Sequence, residues 1–524
     1  MFNNISELLD ARIAEHGAKP FLFSEADERV WSYEEFGRVV HQTANMLRSR
    51  GIGKGDVVSL LMPNSAEYII AYFACWQIGA VAGPVNSLLK SEEIEWVVGN
   101  SESKLLLSEP PAPLVPEEGW PKAGVEGAAG GEDGSEDATR PDLPWVNLDL
   151  DSLPPADAGG SDTAIESGDD AIIIYTSGTT GKPKGCLLTH GNIIANARQI
   201  AEWMGFGPED RLLTVMPLFH MNAVSVTTMS ALYAGGSTVV SPKFSASRFW
   251  DIIDKYKITS FGSVATMLSM LLSRQQSAVS DQPKASSLAP RHSSLRFAMC
   301  GSAPVPVKVL TKFEETFGVH VIEGYGLSES TCRSTFNPPN GNRRPGSCGL
   351  PIGNEMRVVD DEDKDVPDCE LGEIVLRGPN IFKGYFKNPE ATAEAFRGGW
   401  FHTGDIGYRD ADGFYYIADR KSDMIIRGGE NIYPREIDDV LYRHPAVEHA
   451  AVIGVPDQLY GEEVAAFIVL KKEASASGEE LMAFCREHLA DYKCPKTVHF
   501  VDDIPKGPTG KLLKRKLTKL LDAS

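Results

Sequence analysis

Residues 175–185 place hydroxyl side chains, three glycines and two lysines side by side with no acidic residue among them. Glycine lets a backbone approach a ligand closely, hydroxyls and bare N–H groups donate hydrogen bonds, and lysines offset negative charge. That combination suits phosphate oxygens; the bland alternative is a Gly- and Thr-rich surface turn. It is not a Walker A loop, which needs four residues between its first glycine and the Gly-Lys pair. Only two separate Gly178 from Gly181, and Pro183 follows Lys182. Proline lacks an N–H and fixes φ, so the loop cannot run on into a helix.

Flanking elements must hold such a loop in place, and the chain's periodicities supply them. The apolar run 171–174 is short enough for a buried strand. Ile5, Leu8, Leu9 and Ile13 share a helical face; 57–62 reads as a strand, 67–78 as a helix and 80–85 as a strand. Alternation of this kind favours a mainly parallel α/β sheet. The rhythm breaks over about 108–169, where acidic, Pro- and Gly-rich segments predict a surface insertion, partly disordered. It resumes with strands at 212–216, 294–300 and 319–323. Past Asp360, dense turn residues and short strands such as 373–377 and 414–417 predict a small β-rich unit. Helices over 436–442 and 479–489, with strands over 450–455, 464–470 and 498–501, predict a self-contained α+β unit. The expected fold is α/β: a body over 1–421 of parallel α/β subdomains and a β-rich subdomain, then a small α+β domain over 422–524.

Composition narrows the function. The 524 residues carry a formal net charge of −21, which argues against nucleic acid and anionic membranes as partners. Nothing approaches the roughly 20 apolar residues of a membrane span, and residues 1–7 do not resemble a signal peptide. Eight scattered cysteines include no Cys-x-x-Cys pair, so reduced thiols and a cytoplasmic location are expected, with neither zinc nor disulfides. Oligomeric state is not legible, since neither a heptad nor a repeat is present.

Seven motifs then fall into one order: 175–185, 216–220, 324–329, 401–405, 419–420, 427–431 and 508–511. In order and spacing they resemble the adenylate-forming superfamily of acyl-CoA synthetases, carrier-loading adenylation domains and luciferases. The resemblance spans nearly the whole chain. It implies an enzyme that joins a carboxylic acid to the α-phosphate of ATP, expels pyrophosphate, and passes the acyl group to coenzyme A. Phosphorus gathers negative charge in that step, and cations must stabilise it. Lys511 resembles the lysine that bridges carboxylate and α-phosphate; read by itself it is one more solvated lysine in a basic tail. Glu329 resembles the Mg²⁺ ligand, a hard cation preferring carboxylate oxygen. Thr176, Ser177, Gly178, Thr179, Thr180, Gly181 and Lys184 would hold the outer phosphates. Tyr325 would face adenine, with Gly301, Ser302 and Ala303 allowing its close approach; Glu323, Gly324, Gly326 and Ser328 would also bind the nucleotide, while Asp405 and Arg420 would hold the ribose. A turn Asp is the plain alternative for Asp405.

The family's C-terminal domain is mobile and swings between half-reactions. The pivot falls on Ser422, where many relatives carry Asp or Lys, a departure that bears on swing rate and not on chemistry. Gly428 and Gly429 would let the pantetheine arm of CoA pass; a plain tight turn is the alternative. The acyl pocket would draw on His220, Asn222, Ser225, Cys300, Gly301, Gly324 and Arg333. His220 is expected as a gate and not a base, because a carboxylate is already ionised at pH 7. Arg333, if inward, could pair with a second anionic group such as a carboxylate or sulfonate; if outward, it is a solvated neighbour of Arg343 and Arg344. Segments 244–250 and 341–344 look similar to carnitine and crotonobetaine CoA ligases, which keeps short or polar acids beside medium-chain ones. A ligase loading a separate carrier protein, a luciferase-like oxygenase and a noncatalytic nucleotide-binding protein are the alternatives. A fused carrier domain is not expected beyond Lys511. The noncatalytic reading predicts loss of Lys511, Glu329 or Asp405, and all three are present.

Overall fold

A computed structural model describes residues 2–108, 143–153, 164–176, 183–280, 294–301, 305–428, 430–472, 474–505, 513–514 and 516–517. Two sheets with parallel centres form the body. In one, Pro20–Ser24, Ser237–Val240, Arg211–Thr214, Ser260–Ser263, Phe297–Cys300 and His320–Tyr325 run parallel, with antiparallel strands added at both margins. In the other, Trp145–Asn147, Leu105–Ser108, Val57–Leu60, Val81–Pro84 and Asp170–Thr176 run parallel. Lys184–Thr189 then turns back antiparallel against Asp170–Thr176. Trp145–Asn147 lies inside the stretch read as insertion; three residues give too little period to betray a strand.

Buried helices separate the sheets. Ala66–Gln77 is apolar on nearly every face and buried along almost its whole length, as a helix covered on all sides must be. Thr189 ends one strand and caps the helix His190–Met204, accepting from Asn192 N–H while the Asn192 side chain accepts from Thr189 N–H. Gly205, in the left-handed region, closes that helix. Residues Asn222–Met229 form a π-helical turn: Ser230 N–H reaches back to Ser225 C=O, five residues earlier.

The β-rich unit is an antiparallel sheet of Glu355–Val359, Gly372–Arg377, Phe401–Arg409 and Tyr415–Arg420. In the C-terminal unit Gly461–Leu470 pairs with Val447–Asp457, Ile425–Arg427 and Thr497–Phe500. Alternation along it feeds two cores: Val464, Ala466 and Ile468 pack on one face, and Ala465, Phe467 and Val469 on the other. The expected α/β body, β-rich unit and α+β C-terminal unit are all present. Among the described residues no helix is long and apolar enough to cross a membrane.

Candidate active site

A cleft of about 1450 Å³ opens at the carboxyl ends of the first sheet, the usual ligand position in an open α/β sheet. Met216, Val264, Gly301 and Tyr325, each at or just past a strand end, form its floor. Arg435, Asp438 and Lys514 of the C-terminal unit face them across the opening.

One wall is held by a hydrogen bond and an ion pair that share a carboxylate. Asp405 and Arg420 are partners on neighbouring antiparallel strands, so the ladder itself brings them together. Asp405 accepts from Tyr325 OH at 2.6 Å through Oδ2, and pairs with Arg420 Nε at 3.0 Å through Oδ1. Asp405 holds the Arg420 guanidinium above its usual pKa, against the pull of burial. Burial, then Asp405, push the Tyr325 phenol far above its ordinary range. Glu329 is buried within electrostatic reach of Arg420 and accepts from Tyr385 OH at 3.0 Å. Burial raises its pKa. Glu323 lines the cleft, and burial lifts its carboxyl to about 8 against a hydrogen bond from Gly346 N–H. It therefore carries a proton near neutrality and can donate as well as accept. Gly324 and Gly326 also line the cleft, and a Cβ at Gly326 would lie 2.0 Å from Cys332 C=O. Ser328 opens the short 3₁₀ turn Ser328–Ser330 that carries Glu329.

Of the residues expected to hold phosphates, Thr176 and Lys184 are described. Thr176 and Lys184 are register partners in the hairpin, and Lys184 Nζ stands 5.1 Å above the Tyr385 ring. Ser177, Gly178, Thr179, Thr180 and Gly181 lie outside the described residues, as do Ser302, Ala303, Gly429 and Lys511.

Behind the cleft floor lies a second cluster. Arg333 is 2% exposed, and its inward position leaves the solvated alternative without support. Its Nη1 donates to Cys332 C=O at 3.3 Å, while Nε and Nη2 have no partner. Both amide atoms of buried Asn222 and Nε2 of His220 are also unpartnered. Burial lowers the His220 pKa to about 4, so the ring is neutral, which excludes a cationic role near pH 7. Ser225 instead donates to Asn196 at 2.9 Å. Cys300 is buried, its thiol pushed by burial to about 12.

The C-terminal unit is clasped to the body beside the expected pivot. Asp419 accepts from Arg435 N–H at 2.8 Å, and the Arg435 side chain donates to Ile417 C=O. Ser422 is exposed between these contacts and donates to Asp423. Lys514 pairs with buried Asp438 at 2.9 Å, whose carboxyl burial raises to about 6 despite that partner. Gly428 donates to Tyr460 C=O and does not line the cleft.

Three positioning residues went unread in the sequence. Tyr385 engages Glu329; Asn196 and Asn380 both donate to Arg333 C=O, at 2.7 and 3.3 Å. Between Glu329 and Arg333, Thr331 holds φ +65°, an uncommon strain for a β-branched residue. A lone Tyr or Asn leaves no spacing signal; only the fold brings these to the loop.

Known proteins resemble this chain along nearly its whole length. The AMP-binding enzyme family matches residues 9–386, and the AMP-binding enzyme C-terminal domain matches 436–511. A sulfoacetate–CoA ligase of Cupriavidus necator is 36% identical over 99% of this chain and 98% of its own length. A feruloyl-CoA synthase of an Amycolatopsis species is 36% identical over 92% of each. Among solved structures, o-succinylbenzoate CoA synthetase of Bacillus subtilis with its acyl-adenylate superposes at TM-score 0.84 and 30% identity over 98% of both chains. The same synthetase with ATP and magnesium ion gives 0.82 and 30% over 97% and 98%.

Proposed function

The chain belongs to the AMP-binding enzyme family and is an AMP-forming acid–thiol ligase; on that premise we propose how its residues divide the work. ATP, Mg²⁺, a carboxylic acid and coenzyme A are the reactants and cofactor. The acid is short or polar, or of medium chain, and the acyl-adenylate passes to CoA and not to a carrier protein. The observation that carries the assignment is the Tyr325–Asp405–Arg420 chain beside Glu329 at the carboxyl ends of a parallel sheet.

Tyr325 offers a ring face for adenine, with Gly324 and Gly326 allowing close approach. Asp405, fixed by two partners, presents its carboxylate to the ribose hydroxyls, and Arg420 donates beside it. Residues 176–184 grip the two phosphates that leave. Glu329 fits a metal site: a buried carboxylate with one hydroxyl partner is a sound oxygen ligand for a cation otherwise held by phosphates and water. When bound, Mg²⁺ offsets phosphate charge. Lys511 stabilises the attacked α-phosphate. The division 1–421 and 422–524, with Ser422 as pivot, then lets the C-terminal domain release the Asp419–Arg435 clasp and bring Gly428 and Gly429 toward the acyl-adenylate. His220 acts as a wall, since a neutral ring has no proton to take from an ionised acid. A cytoplasmic location accompanies the proposal, supported by eight unbridged cysteines.

The test is pyrophosphate release from a panel of carboxylic acids, with and without CoA, in wild type and Lys511→Ala. Acid-dependent pyrophosphate that falls at least 100-fold in Lys511→Ala is expected. No pyrophosphate from any acid, or unchanged adenylation in the variant, removes the mechanism.

A further inference from the structure

Arg333 is a buried cation without an anion. No ion pair among the described residues includes it, and two of its donor atoms have no partner. Leaving a charge in that state costs several kcal/mol, and arginine cannot shed its proton to escape the cost. The thiols that feel its charge do not serve as counter-ions, since burial holds Cys300 and Cys332 protonated, and Glu323, which also acts on Cys300, is pushed up to about 8.

Its surroundings are built around it. Gly262 and Met299 are register partners on adjacent parallel strands, and Gly301 lies two residues past Met299, so both glycines face the same side. At each, the place of a side chain is taken by a polar group. A Cβ at Gly301 would meet Arg333 Nη2 at 2.6 Å; one at Gly262 would meet Asn222 Oδ1 at 2.7 Å. Phe336 lies under the guanidinium, 5.5 Å from ring centre to Cζ, leaving the Nε–Nη2 edge to fork onto paired oxygens. The backbone of Arg333 is fixed by Asn196 and Asn380. Gly301 also lines the cleft, so the guanidinium sits directly behind the cleft wall.

We propose that this chamber seats a second anionic group of the acid, and that the substrate is a short acid bearing a sulfonate or a second carboxylate. Arg333 takes the charge, the Asn222 amide takes a remaining oxygen, and His220 closes the side. The acid is short because the guanidinium stands immediately behind Gly301, which itself lines the cleft. This rests on the acyl-CoA synthetase reading.

The experiment compares kcat/KM for sulfoacetate, malonate and propanoate in wild type, Arg333→Met, Arg333→Lys and Asn222→Ala. Wild type is expected to prefer a dianion over propanoate at least 100-fold, and the two dianions distinguish sulfonate from carboxylate. Arg333→Met should lose the preference for that dianion over propanoate at least 100-fold; Arg333→Lys should fall between, and Asn222→Ala should lose about tenfold of it. A wild-type preference for propanoate, or equal losses on all three acids, overturns the proposal. If no acid yields pyrophosphate, the synthetase reading fails instead, and titration calorimetry with sulfoacetate and malonate judges the chamber. Binding abolished by Arg333→Met then supports it, and no binding to wild type overturns it.

Discussion

Two buried polar clusters adjoin one cleft and are wired in opposite ways. Around Asp405 both carboxylate oxygens are engaged: Tyr325 OH donates to one, Arg420 ion-pairs with the other, and Tyr385 donates to Glu329. Around Arg333 partners are missing, with guanidinium nitrogens, the Asn222 amide and the His220 ring left over. A pre-paired cluster holds its shape before any ligand arrives, so no reorganisation is needed at the moment of reaction. An unpaired one is unstable alone and gains most from the ligand that completes it. The first arrangement suits a partner common to a whole family, the nucleotide. The second suits the partner that differs from relative to relative, the acid.

Breaking the paired cluster should cost most. Asp405→Ala should lower kcat/KM by about 10³-fold for every acid alike, roughly 4 kcal/mol; a loss confined to one acid would show that the nucleotide wall is not shared. The next effect is on stability. His220 is held near pKa 4 in the fold but titrates near 6.5 when unfolded, so below 6.5 the unfolded chain binds the extra proton. Wild-type stability relative to His220→Gln should therefore be complete above pH 6.5 and fall by about 3 kcal/mol as pH drops toward 4. Denaturant titrations across that range would check it, and a flat difference would mean the ring is hydrated. The smallest effect has the opposite sign. Ligand-free Arg333→Met should gain about 2 kcal/mol, since it replaces an unpaired buried charge with apolar volume. A loss measured by calorimetry would mean the guanidinium already has a partner.

The paired wall was legible in the sequence and the open chamber only partly so. Tyr325, Asp405 and Arg420 each sit in a motif of distinctive order; apolar runs mark the strands of Tyr325 and Arg420, whereas Phe401–Arg409, which carries Asp405, has none. Arg333 was legible as a residue, but its direction was not, because inward and solvated arginines look alike in a string. Direction is set by Asn196 and Asn380, which lie 137 and 47 positions away. Tyr385 left no mark for the same reason: its meeting with Glu329 spans 56 positions. The C-terminal unit was readable from alternation, whereas its clasp through Arg435 depends on how two units dock.

The π-helical turn at Asn222–Met229 has a consequence for descent. A π turn carries one residue more than the α-helical ladder it interrupts, so losing one residue there restores ordinary pairing while both ends of the segment stay put. Side chains within the turn would then change register, while those beyond its two ends keep their direction. A single lost codon would thus re-register Asn222 and Ser225 within the turn in one mutational step, with the Asp405 wall untouched. Substrate range in such a chain is able to drift by register as well as by residue exchange.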